Sequence, residues 1–366
     1  MNIIFGYHQN EPTSSYYSDA DATKEFGSLN NTQMRRFLSS GFGPFKEISL
    51  KYYQAGHYTF VFHASSNDRQ EAILQLSKFS DRTDLGEVLA NDFDNLSLLH
   101  QIDPQFVPEP YLLGKVDFKR TKRNISLTEF CKGYFELHRD ETNNPYLYTI
   151  TSVGNQRFWH KEESQPIFDN MIKILAHYYF SSYNPETNEG LLIGDVKLNA
   201  GDFLINHNDD LKLITARSLS YATPQEFLYY LLSNTQPESD QAINGKVYGL
   251  FIDENNRFQN IYDVVLDCMN SFFEEPEEIL QDWISQFKHI VKDKNTLNMA
   301  LVKFAEFDKI PPAYRGTMEM IGYAYSYGTE IHFLKRMHTF RNSIPAQKFH
   351  DQELERIVNG VNSLVL

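Results

Sequence analysis

Cysteine is scarce in this chain of 366 residues: Cys131 and Cys268 are the only two. Two isolated thiols make no disulfide framework and have no metal-ligand spacing, so they read as buried thiols of a reducing compartment. Long apolar runs are missing as well, and no stretch approaches the roughly twenty residues that a membrane-spanning helix needs. Met1 to His8 carry no basic region followed by a long apolar core, so no ordinary secretory signal is expected there. These absences predict a soluble, cytoplasmic protein without a membrane span, export by a non-classical route being left open. Positive charge is also short. Lys and Arg number 34 against 48 Asp and Glu, giving a net charge of −14 with the acids spread along most of the chain. A general nucleic-acid surface is therefore excluded, because phosphate binding draws on clustered Lys and Arg. The one basic cluster, Lys119 to Arg123, lies between apolar runs and reads as an exposed hairpin tip. Neither an internal repeat nor a low-complexity tract is present, and His332 and His338 lack a second ligand at metal spacing.

What the chain does have is apolar surface: 41% hydrophobic and 14% aromatic residues, with 28 Phe and 22 Tyr carrying much of it. That is ample for a sizeable core in one large or two small domains. The most informative stretch runs from Leu191 to Ser218. Two short apolar runs, Phe203 to Ile205 and Leu211 to Ile214, flank the turn-forming Asn206-His207-Asn208-Asp209-Asp210, which predicts a small hairpin. A polar loop with a carboxylate at each end, Asp195 and Asp202, precedes it. Two acids held over one small space suit a magnesium-dependent phosphoryl transfer.

This stretch resembles the catalytic loop and following hairpin of the kinase-like superfamily, in its aminoglycoside phosphotransferase and choline kinase branch. That loop typically reads His-Gly-Asp-x-x-x-x-Asn. Gly194-Asp195 matches the Gly-Asp, Gly201-Asp202 falls where the branch has Gly-Asn, and Ile214-Thr215-Ala216-Arg217 falls where it has Ile-Asp-Phe or Ile-Asp-Trp. There are departures: Ile193 replaces the His, the loop is two residues longer, and Thr215 stands at the metal-binding Asp. The resemblance implies an α+β, bilobal fold with a small antiparallel N-lobe sheet, one main N-lobe helix and a larger, mostly helical C-lobe. The implied division is a loosely ordered leader and short helix over 1–44, an N-lobe over 45–133 and a C-lobe over 134–366 carrying the loop at 193–217.

The rest of the chain follows that plan. Thr32 to Leu38 is a short amphipathic piece; strands are predicted over 48–53, 58–64 and 71–79, with Gly56 in the first turn. In the family, glycines there let backbone N–H groups approach the nucleotide phosphates, and a Lys on the third strand holds them. Gln75 takes the position of that Lys, and Lys78 reaches the same face only through a bulge. A helix follows Asp84, with Leu85, Val88, Leu89, Phe93, Leu96 and Leu99 at helical spacing; Glu87 and Asp92, with no Lys to pair, read as solvated charges. Val107-Pro108-Glu109-Pro110 resembles the branch's entry to the fourth strand, and Glu129 to Gly133 fits the hinge that meets adenine. A polar segment spans 140–165, and Ile167, Met171, Ile174, Leu175 and Tyr178 predict the helix before the catalytic loop. Thr223 and Glu226 form a capping box for a helix starting at Pro224, and later helices are predicted near 258–273, 276–293, 295–307, 316–340 and 350–364.

Two functions follow from the resemblance. One is a pseudokinase, a scaffold that binds a protein partner or ligand and transfers nothing. The other is a divergent phosphotransferase using ATP and Mg²⁺ on a small-molecule or peptide hydroxyl. In the second, Asp195 is the catalytic carboxylate, Asp195 and Asp202 hold metal, and Lys78 or Lys197 supplies positive charge near the phosphates. Gly56, Gln75 and Glu129 complete the candidate nucleotide site.

Overall fold

The computed structural model describes residues 2–7, 31–55, 59–67, 70–78, 85–118, 121–139, 147–150, 156–194, 200–234 and 254–292. The fold is mixed α+β and divides into two compact units that alternate along the chain. The first comprises Met1–Leu137, Tyr148–Phe158 and Phe203–Arg217; the second comprises His138–Leu147, Trp159–Asp202 and Ser218–Leu366.

The first unit is built on a six-stranded sheet in the order β1-β2-β3-β4-β6-β5. Its strands are β1 (Asn2–Tyr7), β2 (Glu47–Ala55), β3 (Thr59–Ser66), β4 (Glu71–Ser77), β5 (Pro110–Phe118) and β6 (Thr121–Glu129). Residues Asn2–Tyr7, expected in a loose leader, instead pair in parallel with β2, from Asn2 opposite Glu47 to Tyr7 opposite Tyr52. All other neighbours are antiparallel. In β3 and β4 buried and part-buried residues alternate, which is the period-2 pattern of a strand with one face in the core. Phe60, Phe62, Ala64, Ala72, Leu74 and Leu76 line that face.

Helix α1 (Asn31–Phe42) covers the core with Met34, Phe37 and Leu38, a spacing that puts all three on one side of a helix. It runs past the predicted Thr32–Leu38. Gln33 pins it to β5 from both ends of its amide: Nε2 donates to Asp117 Oδ2 and Oε1 accepts the Asp117 N–H, each at 2.6 Å. Helix α2 (Leu85–Ile102) packs on β4, β5 and β6. Asn124 joins the two, since its side-chain amide donates to Gly86 O at the start of α2 while its backbone N–H donates to Ser77 Oγ at 3.1 Å.

A second sheet, in the order β12-β11-β7-β8-β9, belongs mainly to the same unit. Its strands are β7 (Phe135–Arg139), β8 (Leu147–Ile150), β9 (Gln156–Trp159), β11 (Phe203–Ile205) and β12 (Leu211–Leu213). The predicted hairpin is β11 and β12, closed by Asn206, whose Oδ1 accepts the backbone N–H groups of Asn208 and Asp210 at 2.8 and 3.0 Å. Arg157 holds the turn from β9 through bonds to Asn206 O and His207 O and an ion pair of 2.8 Å with Asp209.

The second unit centres on α3 (Lys161–Ser181), entered through a capping box of His160 and Glu163. Beside it lies the antiparallel pair β10 (Gly190–Gly194) and β13 (Ser218–Ala222). Residues after Ser218 were expected to be helical, and β13 comes first. Then follow α4 (Pro224–Asn234), α5 (Glu254–Met269) and α6 (Pro276–Lys292). The capping box at Thr223 is present: its N–H donates to Glu226 Oε2 at 2.8 Å and its hydroxyl accepts the Glu226 N–H at 3.4 Å. Tyr179 stacks on Phe227 with ring centroids 4.0 Å apart, and its hydroxyl donates to Ala222 O. Helices predicted beyond residue 293 lie outside the described residues.

Candidate functional site

Gln75 sits in β4 opposite Val61 on one side and Ser126 on the other, in a register that runs without interruption along the strand. No bulge therefore turns Lys78 onto the face of Gln75. Lys78 lies just past the end of β4, with its ammonium 5.5 Å from the centre of the Phe60 ring. The Gln75 amide oxygen accepts a hydrogen bond of 3.2 Å from Ser126 Oγ. The position resembling a phosphate-holding lysine thus carries a neutral group engaged with its cross-strand neighbour.

Helix α2 faces this polar side of the sheet. Its apolar stripe runs through Leu89, Leu96 and Leu99, and Asp92 stands within that stripe, only 9% exposed. A carboxylate there needs strong donors, because burying a charge without them is costly. One is the backbone N–H of Ala216, which donates to Asp92 Oδ1 at 2.5 Å. One turn further on, Asn95 Nδ2 donates to the carbonyl of the same Ala216 at 2.7 Å. Both polar backbone atoms of one fully buried residue are held by two side chains three apart on one helix. Asp92 is thus no solvated charge, contrary to expectation. Its place at an apolar position of the helix was the signal that could have shown this; Asn95 gave none.

The segment so gripped follows β12 directly and includes Thr215, which is half-buried. At the same end β12 is tied to the turn after α2, where the Leu213 N–H donates to Phe106 O at 2.8 Å. Lys212 donates to Val107 O at 3.4 Å and lies 4.0 Å from Glu129 Oε2. That same carboxylate oxygen accepts the Glu109 N–H at 3.1 Å, while the Glu129 N–H donates to Glu109 O at 2.8 Å. Glu129 therefore fastens the strand end to its neighbours. Gly133 then takes a φ of 83°, a left-handed conformation that favours glycine, at the turn leading to β7. Burial pushes the Cys131 thiol up to about 12, with Glu129 acting in the same direction.

Known protein families offer no match to this chain. No curated protein matches it significantly either.

The remaining predicted residues fall as follows. Asp202 ends a single 3₁₀ turn, Ala200–Asp202, in the second unit and is 4% exposed. Asp195, Lys197 and Gly56 lie outside the described residues. Among the described residues no group of three His, Cys, Asp or Glu side chains is placed to hold a metal ion. Of the described candidates, Gln75 and Thr215 are neutral, Lys78 lies beside the Phe60 ring, and Glu129 and Asp202 are the carboxylates. Arg123, read as part of an exposed tip, is 3% exposed, and its guanidinium donates to Ser77 O at 3.3 Å.

Proposed function

We propose that this chain is a kinase-like protein with a degenerate nucleotide site, serving as a binding or regulatory scaffold. The observation that carries the reading is the grip of Asp92 and Asn95 on Ala216. In the family that the sequence resembles, the main N-lobe helix directs a carboxylate to the lysine of the third strand, and the segment after the hairpin supplies a metal ligand. Here the buried carboxylate of α2 binds that segment's backbone, Gln75 is engaged by Ser126, and Thr215 brings only a hydroxyl. Electrostatic stabilisation is usually the largest catalytic contribution, and these positions supply neither charge. The order of elements supports the family reading in part: after β1 and α1 come three antiparallel strands, a helix, two more strands and a glycine turn, and, past β7, β8 and β9, a long helix, β10 and a short hairpin.

The second reading, a divergent phosphotransferase acting on a small-molecule or peptide hydroxyl with ATP and Mg²⁺, is favoured by one feature. Asp202 is a deeply buried carboxylate at a position where the resemblance implies a magnesium ligand.

Thermal unfolding of the full chain with and without ATP, in magnesium or EDTA, separates the two. A ligand at a hundred times its Kd stabilises by about 2.7 kcal/mol. In a unit of this size that is a rise of roughly 5–10 °C. The scaffold reading expects no magnesium-dependent rise. A rise that Asp202→Ala removes would replace it with the phosphotransferase reading.

A further inference from the structure

The second unit carries an open cleft of about 630 Å³, lined by none of the candidate site residues discussed above. Its walls come from the end of α3, the loop Asn184–Glu189 and the start of α6. Its floor is aromatic. Tyr183, Phe273 and Trp283 meet one another edge-on or tilted, with ring centroids 5.5 to 6.1 Å apart, and Trp283 is 5% exposed. Its rim is acidic: Glu275, Glu278 and Asp282 line it, and no Lys or Arg does so among the described residues. Glu278 lies in the first turn of α6, where a negative charge also favours the helix. That account does not reach Glu275, which precedes the helix, or Asp282 in its second turn.

We propose that this cleft receives an Arg-x-Arg segment of a partner polypeptide. A guanidinium is weakly hydrated, lies flat on aromatic faces and forks onto carboxylates, whereas an ammonium is a compact, strongly hydrated point charge. An aromatic floor under a carboxylate rim suits the first. The spacing selects a chain over a free cation. Glu278 and Asp282, four residues apart on α6, are separated by a helical rise of about 6 Å. Side chains two apart on an extended strand lie roughly 6.6 Å apart on one face. The net charge of −14 draws a basic partner in the same direction. The inference stands independently of the nucleotide reading, since no residue of the cleft takes part in it.

Fluorescence anisotropy of a labelled Gly-Arg-Ser-Arg-Gly peptide, titrated with the full chain, tests this directly. The expected result is saturable binding that is at least about tenfold weaker for the Lys-Ser-Lys peptide. Glu278→Gln with Asp282→Asn should weaken it by a similar factor while the chain keeps a cooperative unfolding transition, its midpoint lowered only slightly by the lost helix-favouring charge. Glu277→Gln, which removes one of the charges on the same turn but outside the cleft, should leave binding as it was. Equal affinity for the lysine peptide would reduce the effect to general electrostatics. Unaltered binding by the double variant, or an absence of saturable binding, would overturn the proposal, as would free arginine amide competing as well as the peptide.

Discussion

Removing the Asp92 carboxylate should loosen the segment after β12 far more than the hydrogen bond from Ala216 alone suggests. Ala216 is fully buried, so in Asp92→Ala its N–H loses an ionised acceptor at 2.5 Å and is left buried. A buried donor without a partner costs about 1–3 kcal/mol, and bonds to charged groups lie in the upper part of that range, so the expected loss is roughly 1.5–3 kcal/mol. Asp92→Asn keeps a carbonyl oxygen in place and should lose less than half as much. Asn95→Ala removes a neutral bond to the Ala216 carbonyl and should cost about 1 kcal/mol. Since both side chains hold one residue, their effects should couple by more than about 0.5 kcal/mol in a double-mutant cycle. The chain has two units, and a global melt can merge or separate their transitions. The decisive assay is therefore amide hydrogen exchange over residues 214–217, where Asp92→Ala should exchange roughly 10- to 150-fold faster. Exchange there within about twofold of the parent would refute the clamp.

Three further expectations follow from single sites. Burial lifts the Asp169 carboxyl above its usual range, against the Gln165 amide and Lys173, which pull it down. Its ionisation therefore opposes folding at neutral pH, and this cost fades as pH falls through the raised value and is gone below the unfolded one. Asp169→Asn should melt higher than the parent at pH 7.5, and the gap should close towards pH 4. A Cβ on Gly190 would lie 2.6 Å from Tyr179 O and 2.9 Å from its ring. Gly190→Ala should thus lower stability by about 1–3 kcal/mol in urea titration, an unchanged midpoint counting against so close an approach. Burial raises both Cys131 and Cys268 to about 12, leaving roughly one part in ten thousand as thiolate at pH 8. Neither should react with a disulfide reagent until the protein is denatured.

Several local signals whose partners lie close in sequence were read correctly. The Asn206–Asp210 turn, the capping box at Thr223 and the helices at 254–269 and 276–292 each depend on residues within a few positions. Features that depend on distant partners were not legible. Asn2–Tyr7 is a strand only because β2 lies beside it, across some forty residues. The polar segment after Arg139 yields β8 and β9, which extend the sheet of β7 and the hairpin, β8 pairing with β7 and β9 with β8. Arg123 looks like a tip cation in a basic run, yet Ser77 O accepts its guanidinium from forty-six positions away. At the candidate site the substitutions themselves, Gln75 and Thr215, were visible in the sequence. What holds their surroundings, the Asp92 and Asn95 clamp, spans more than a hundred residues and left only a misplaced acid in an apolar stripe.

The alternation of the two units has a consequence during synthesis. The first unit takes its last strands from Phe203–Arg217, so it stays incomplete after residue 137 has left the ribosome. Some 80 residues must follow, taking roughly 4–16 s at about 5–20 residues per second. Throughout that interval the buried side of α2 waits for the backbone it will grip, and Asp92 is an uncovered charge on a growing chain. A chain truncated between residues 137 and 203 would keep α2 without the backbone that it grips.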